Sequence, residues 1–368
     1  MIDVMHVVHA LNGRAIAQVA GCLGEQMQEL GLEVVLVASN VSDPGDGRLP
    51  VVDLGGSGRR TLEALPRLAR EVRRLRPANV FAHAEGPIRS TVAVTRALRG
   101  RPHVTGVVHN HYSSYPWSTP RVRRVADAVT FSRLDALIGV SPGVTEDLVE
   151  RFPRSGTRTH MVPAPLARWS AMEGLAAEPL EDPWFAAEGP RLVAVGHVHA
   201  RKDHGTLIRA MAYLRDRDVA LPRLAIVGDD GTTHAEQVRA LISSLRLDEH
   251  VALRGVRRNP LPYVAAADAL VLSSRNEGMG IVLLEAMALG TPVVSTDAPA
   301  GPRWILQDGA AGLLAPVGDH EALGDAILRL MEDHELRSRL RAAGLARARE
   351  FTPTEVCRRF LEVAGVGR

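Results

Sequence analysis

A chain of 368 residues is long for a single hydrophobic core and natural for two domains. Apolar residues make up 46% and aromatics only 4%, as in an α/β protein built on Ala, Val and Leu, while 44 basic against 42 acidic groups are too balanced for a nucleic-acid binder. The two cysteines, Cys22 and Cys357, give neither a disulfide framework nor zinc spacing, no run spans a membrane, and the start MIDVMHVVHAL lacks the basic region of a signal peptide, so a cytoplasmic protein is expected.

Taken in order, the first half alternates strand and helix. A strand over 4–8 passes through Asn12-Gly13 into a helix over 14–30, closed by Gly31, and 34–38 is the next strand. The Gly/Pro/Asp-rich stretch 41–58 is a loop around a short strand near 49–54. Leu62, Leu65, Leu68, Val72 and Leu75 then form the apolar stripe of a helix. Strands over 80–82, 104–108 and 136–140 follow, each leading into a helical pattern. Such alternation predicts a parallel, doubly wound sheet.

Residues 163–190, with five prolines and no strand pattern, read as the linker. A second β-α series follows, with strands at 192–195, 224–227, 251–253, 269–272, 293–295 and 312–314, and three helical segments close the chain. The predicted architecture is α/β, two Rossmann-like domains facing across a cleft, with ligands at the carboxyl ends of the strands. Residues 1–168 form the first domain and 169–350 the second, and 351–368 is a helix crossing back to the first.

Charge divides unevenly. Residues 1–168 carry 21 arginines and no lysine against 15 acidic groups, much of the excess lying in 59–76 and 121–133. Basic helix faces suit a membrane surface or a phosphorylated acceptor, or are simply solvated. The chain contains one lysine, Lys202. It sits in a strand-end loop, Gly196-His197-Val198-His199-Ala200-Arg201-Lys202-Asp203, where a compact ammonium suits an anion.

The most informative stretch is 272–295, LSSRNEGMGIVLLEAMALGTPVVS. Glu277 precedes Gly278-Met279-Gly280, and Glu285 stands eight positions on, about two helical turns away. Two glycines let a backbone approach a ligand, and the first amides of a helix are unpaired donors with positive partial charge. Carboxylates accept hydrogen bonds from vicinal diols. By itself the segment reads equally as an anion cradle or as an ordinary strand–turn–helix. Opposite it, by this reading, stand the strand-end clusters His83-Ala84-Glu85-Gly86 and His109-Asn110-His111 and the Gly13-Arg14 turn. His197, His199 and His204 lack a carboxylate or cysteine to complete a metal site, and Gly55-Gly56-Ser57-Gly58 lacks the dinucleotide fingerprint. Neither a nucleophile elbow nor a Walker pattern occurs.

Taken together, the glycine-to-Lys202 loop, the Glu277/Glu285 pair, the run Gly-Leu-Leu-Ala-Pro-Val-Gly-Asp at 312–319, and Asn259-Pro260-Leu261-Pro262-Tyr263 with Asp268 resemble glycosyltransferase family 4. The resemblance runs over 190–335 and, more weakly, over 1–165. It implies the GT-B fold and retaining, metal-independent transfer of a sugar from a nucleotide-diphosphate sugar, UDP favoured over GDP, to an acceptor hydroxyl. No metal or other cofactor is implied. The acceptor is a small natural product such as an aminocyclitol, or a lipid-linked or cell-surface glycan reached at a membrane face through the basic helices. By the same resemblance, Lys202 and Arg201 bind the diphosphate, together with the amides of Gly278, Met279, Gly280 and Ile281. Glu285 holds the ribose, Glu277 the sugar hydroxyls, Gly255 and Val256 the base, and His109 is the active-site histidine of the first domain. Gly13 contacts donor and acceptor, and Arg14, Glu85, Asn110 and His111 are acceptor candidates. His197 stands where the family usually has Arg, Asn12-Gly13-Arg14 replaces a Gly-Gly pair, and Val162-Pro163-Ala164-Pro165 lacks the usual Asn-Gly. The rival readings are a nucleotide-sugar epimerase on this fold and a non-catalytic nucleotide-binding protein.

Overall fold

The computed structural model describes every residue except 1, 13–14, 44–47, 56–63, 97, 115–120, 154–157, 168, 218, 230 and 367–368. The chain forms two compact units, Met1–Ala167 with Phe351–Arg368, and Arg168–Glu350.

The first unit is built on β1 (Val4–Asn12), β2 (Val34–Asp43), β3 (Val51–Asp53), β4 (Asn79–His83), β5 (His103–Val108), β6 (Ala136–Gly139) and β7 (Thr159–Met161). They form one parallel sheet in the order β3-β2-β1-β4-β5-β6-β7. Helices cover both faces, which is why its strands read as continuous apolar runs rather than alternating ones. Met5 and Val7 pack with Leu68 and Val72 of helix Leu65–Leu75, and Val8, Leu36 and Ala38 pack with Ala17 and Ala20 of helix Ala15–Glu29. Helix Pro353–Ala364 belongs to this unit: Phe360 packs against Phe81, and Arg359 donates to the Met161 carbonyl.

The second unit carries β8 (Arg191–Val195), β9 (Arg223–Val227), β10 (Val251–Leu253), β11 (Ala269–Leu272), β12 (Val293–Thr296) and β13 (Leu313–Ala315), all parallel, in the order β10-β9-β8-β11-β12-β13. Its core joins Leu192, Leu224, Ile226 and Val271 to Leu207, Met211 and Leu214 of helix His204–Arg215.

Three local expectations change. β2 runs to Asp43 rather than residue 38, because β1 itself continues to Asn12 and pairs with it along its length. β4 includes His83, which is therefore buried in the sheet and not part of the loop beyond it. Glu277 and Glu285 do not share a helix face. The helix starts only at Ile281, behind Gly280 at φ +87°, so Glu277 lies in the turn before it.

In each sheet the winding direction reverses once, between β1 and β4 and between β8 and β11. At such a reversal the following connections diverge to opposite faces and leave room at the carboxyl ends of the two strands.

Candidate functional site

At the reversal in the second unit, two loops meet. The loop after β8 turns at Gly196 (φ +143°), where a Cβ would stand 3.2 Å from the Lys202 Cε, so glycine both allows the turn and admits the lysine stem. The loop after β11 is stitched to it. Ser273 Oγ donates to the Lys202 carbonyl (2.9 Å), the Arg275 amide donates to the Arg201 carbonyl (2.8 Å), and the Arg275 side chain donates to Asp203 (3.0 Å). Asp203 is held at φ +44° and also receives the Thr206 hydroxyl at 2.9 Å.

The stitching brings Lys202 Nζ to 2.7 Å from Glu277 Oε1. Ser274 Oγ donates to the same oxygen at 2.6 Å. Oε2 is thus the oxygen that neither of them engages. Burial opposes the charge on Glu277, but the Lys202 ammonium, with the Ser274 hydrogen bond and the Arg201 charge, outweighs it and holds the carboxyl below its ordinary value. The result is a buried, ionised carboxylate bound to a part-buried ammonium.

Beside this pair, Gly278, Met279 and Gly280 are buried and lead into helix Ile281–Ala288. A Cβ at Gly301 would stand 2.2 Å from the Met279 carbonyl oxygen, so the chain after β12 presses directly on this turn. Glu285 is half-buried on the helix. His197 Nδ1 lies 3.3 Å from Asp229, and the His199 ring accepts from the Arg201 amide at 3.3 Å, capping the short turn Ala200–Lys202. His204 is buried at the start of its helix, its pKa pushed down to about 4 by burial and by the Lys202 charge. Among the described residues no group of three His, Cys, Asp or Glu is placed to hold a metal ion. Gly255 turns at φ +66° after β10 and receives the Gly228 amide at 3.0 Å, while the Val256 side chain is exposed.

In the first unit, the reversal lies beside His83 and the helix Glu85–Thr95. Glu85 is half-buried at the first position of that helix, and Ala84 turns at φ +73°. His109, Asn110 and His111 follow β5 and are half-buried. His111 Nδ1 stands 4.0 Å from Asp147, which also binds the Ser113 amide and Arg151. Burial pushes the His109 pKa down to about 4. Gly13 and Arg14 lie outside the described residues.

Sequence reading brought Lys202, Arg201 and Glu277 together but missed Ser273, Ser274, Asp203 and Arg275, which bind the two loops. Their signal was present: a polar run, Ser-Ser-Arg, directly after an apolar strand at a sheet reversal. It also missed His6 and set His83 in the loop after β4 instead of within it; the signal for both is a histidine in an otherwise apolar, two-sided buried strand.

Residues 189–333 match the family model described as Glycosyl transferases group 1, and residues 16–166 match the model described as Glycosyltransferase Family 4. The N-acetylgalactosamine-N,N'-diacetylbacillosaminyl-diphospho-undecaprenol 4-alpha-N-acetylgalactosaminyltransferase of Campylobacter jejuni is 29% identical over 241 residues, 66% of this chain and 63% of the relative. The GDP-mannose-dependent alpha-(1-6)-phosphatidylinositol monomannoside mannosyltransferase of Mycolicibacterium smegmatis is 30% identical over 260 residues, 67% of this chain and 65% of the relative. The chain thus spans less than two thirds of either relative's length. Among solved structures, Anabaena Alr3699/HepE in complex with UDP and glucose superposes with a TM-score of 0.81 at 15% identity, covering 99% of this chain and all of that one, a likeness of fold.

Proposed function

The chain belongs to the glycosyltransferases of family 4, group 1, with the α/β GT-B fold, and from that premise we propose that it is a retaining, metal-independent transferase. It moves a sugar from a nucleotide-diphosphate sugar, UDP favoured over GDP, to an acceptor hydroxyl. The observation that carries this reading is the Lys202–Glu277 pair at the β8/β11 reversal, beside the glycine turn that opens helix Ile281–Ala288.

In this reading Lys202 and Arg201 supply the positive charge for the diphosphate, with the amides of Gly278, Met279, Gly280 and Ile281. Helix N-termini and ammonium groups stabilise a departing phosphate in the same way, by aiming fixed positive charge at the oxygen where negative charge develops. Glu277 keeps Oε1 on Lys202 and Ser274 and offers Oε2 to the sugar hydroxyls. Glu285 takes the ribose, and Gly255 and Val256 take the base. His197, paired with Asp229, stands at the edge of the phosphate site. The bond from the anomeric carbon to the diphosphate oxygen breaks, and the acceptor oxygen bonds to the same carbon on the same face. The acceptor's proton passes to the departing diphosphate. His109 binds the donor sugar, while Gly13, Arg14, Glu85, Asn110 and His111 serve donor and acceptor from the first unit.

The relatives support a lipid-linked or glycan acceptor, since one acts on a diphospho-undecaprenol glycan and another on a phosphatidylinositol mannoside. A small natural-product acceptor is the other member of the class. No helix among the described residues is long and apolar enough to cross a membrane.

The test begins with a thermal-shift screen of UDP- and GDP-sugars, followed by an acceptor screen with the best donor in the presence of EDTA. Transfer with an unchanged anomeric configuration is expected. Glu277→Gln should reduce kcat at least about 100-fold with the fold intact. Undiminished turnover in that variant, an inverted product, or epimerised donor without any acceptor would overturn the reading.

A further inference from the structure

Three imidazoles cross the first sheet in a line. His6 on β1 pairs in register with Phe81 on β4, and His83 stands two residues beyond Phe81. His83 in turn pairs with Val107 on β5, and His109 stands two residues beyond that. Each step moves one strand over and two residues along, so the side chains share a face and climb from the middle of the sheet to its carboxyl edge. The rings lie edge to edge with their planes only 27° and 24° apart, centroids 5.3 Å apart for His6 and His83 and 5.4 Å apart for His83 and His109. They are also hydrogen-bonded end to end: His6 Nδ1 to His83 Nε2 at 3.0 Å, and His83 Nδ1 to His109 Nε2 at 3.1 Å.

All three rings are neutral near pH 7, because burial pushes His6 down to about 3, His109 to about 4 and His83 well below its ordinary value. Each junction between neutral rings holds one hydrogen, and each ring carries one. The three hydrogens must then sit on the same nitrogen throughout, all on Nε2 or all on Nδ1. The deep end decides between them. His6 is fully buried, stacked on Phe81 at 5.3 Å, and its Nε2 has no hydrogen-bond partner among the described residues. Hydrogens on Nε2 would strand a donor there, whereas hydrogens on Nδ1 leave only a bare ring nitrogen. Buried donors without an acceptor are the rarer of the two in folded proteins.

We propose that His83, backed by His6, is a positioning residue that fixes the tautomer of His109: His6 donates Nδ1–H to His83, His83 donates Nδ1–H to His109 Nε2, and His109 presents Nδ1–H to the substrate. The inference rests on the reading of His109 as the sugar-binding histidine. It sharpens that reading, because His109 then acts as a hydrogen-bond donor to a sugar oxygen and not as the base for the acceptor hydroxyl. Nor can the array carry a proton away from His109, since the line ends at a buried nitrogen without a partner.

Nitrogen-15 NMR of the full chain labelled on histidine tests this, with His109 assigned by comparison with His109→Gln. The wild type should show His109 with hydrogen on Nδ1 and a bare, hydrogen-bonded Nε2; hydrogen on Nε2 would overturn the proposal, and this measurement needs no folded His83 variant. In His83→Phe, the His109 signature should shift to the other tautomer or to an average, and kcat should fall about 10- to 100-fold with donor KM within about twofold. His83→Gln, whose amide N–H replaces the donor, should recover most of that loss. Unchanged kcat and spectrum in His83→Phe would sink the inference while leaving the transferase reading standing. A wild type that transfers no sugar would sink the transferase reading while the tautomer remains measurable.

Discussion

Lys202 is the residue on which most of the proposed chemistry converges. It is the only lysine in the chain, and its ammonium reaches Glu277 across the body of Gly196. An arginine fork is planar and wider than an ammonium, so Lys202→Arg cannot occupy that space without moving the turn. Lys202→Arg should therefore lower kcat/KM about 100-fold with the fold retained, as steady-state kinetics and circular dichroism would show. Removing the charge has a different signature. Glu277 has a depressed folded pKa, so its contribution to stability is fully present above the ordinary value of 4.5 and is lost as pH falls through the folded pKa. Lys202→Met removes the main charge that depresses it and leaves burial opposed only by the Ser274 hydrogen bond and the Arg201 charge. The acid limb of stability should then move to higher pH, with a loss of about 3 kcal/mol at pH 7, measured by urea unfolding across the pH range.

At the scale of elements, the proposed donor site is made by loops that neighbouring strands hold in place. The turn Gly278-Met279-Gly280 depends on a glycine outside itself as well as on Gly280: Gly301, which arrives after β12, packs against the Met279 carbonyl. Gly301→Ala would put a methyl group 2.2 Å from that oxygen, and the backbone must shift to relieve it. Donor affinity should fall about tenfold or more in calorimetry while helix Ile281–Ala288 persists in the far-ultraviolet spectrum. The turn glycines, the polar run after β11 and the lysine loop after β8 were all legible in the sequence, because strand–turn–helix punctuation is local. The contact with Gly301 was not, since more than twenty residues and one further strand separate it from the turn it supports. Nor was the position of Glu277 outside the helix: an eight-residue spacing fits two helical turns, and only the left-handed backbone at Gly280 shows that the helix begins later.

For the whole molecule, two parallel sheets with separate cores account for the length and for the low aromatic content, since Val, Ile, Leu and Ala fill the space between sheet and helices. The last helix belongs to the first unit. Val356, Cys357 and Phe360 are buried there, and the Leu166 amide donates to the Phe351 carbonyl at 2.8 Å. Phe360→Ala should destabilise the first unit by about 3–5 kcal/mol, visible as an earlier unfolding transition, while a donor nucleotide still stabilises the second. Hydrophobic periodicity, turn residues and the order of strands and helices were enough by themselves to determine the α/β class and the division into two β-α series; they singled out Lys202, Glu277 and Glu285, whose donor roles came from the family resemblance. These signals are local and repeat with the period of the element that carries them. Tertiary structure alone decided which oxygen of Glu277 meets Lys202, that Ser273 and Arg275 tie the two loops together, and that His6, His83 and His109 form one hydrogen-bonded line. Those contacts join residues up to 77 positions apart, through strand neighbours whose order no local pattern encodes.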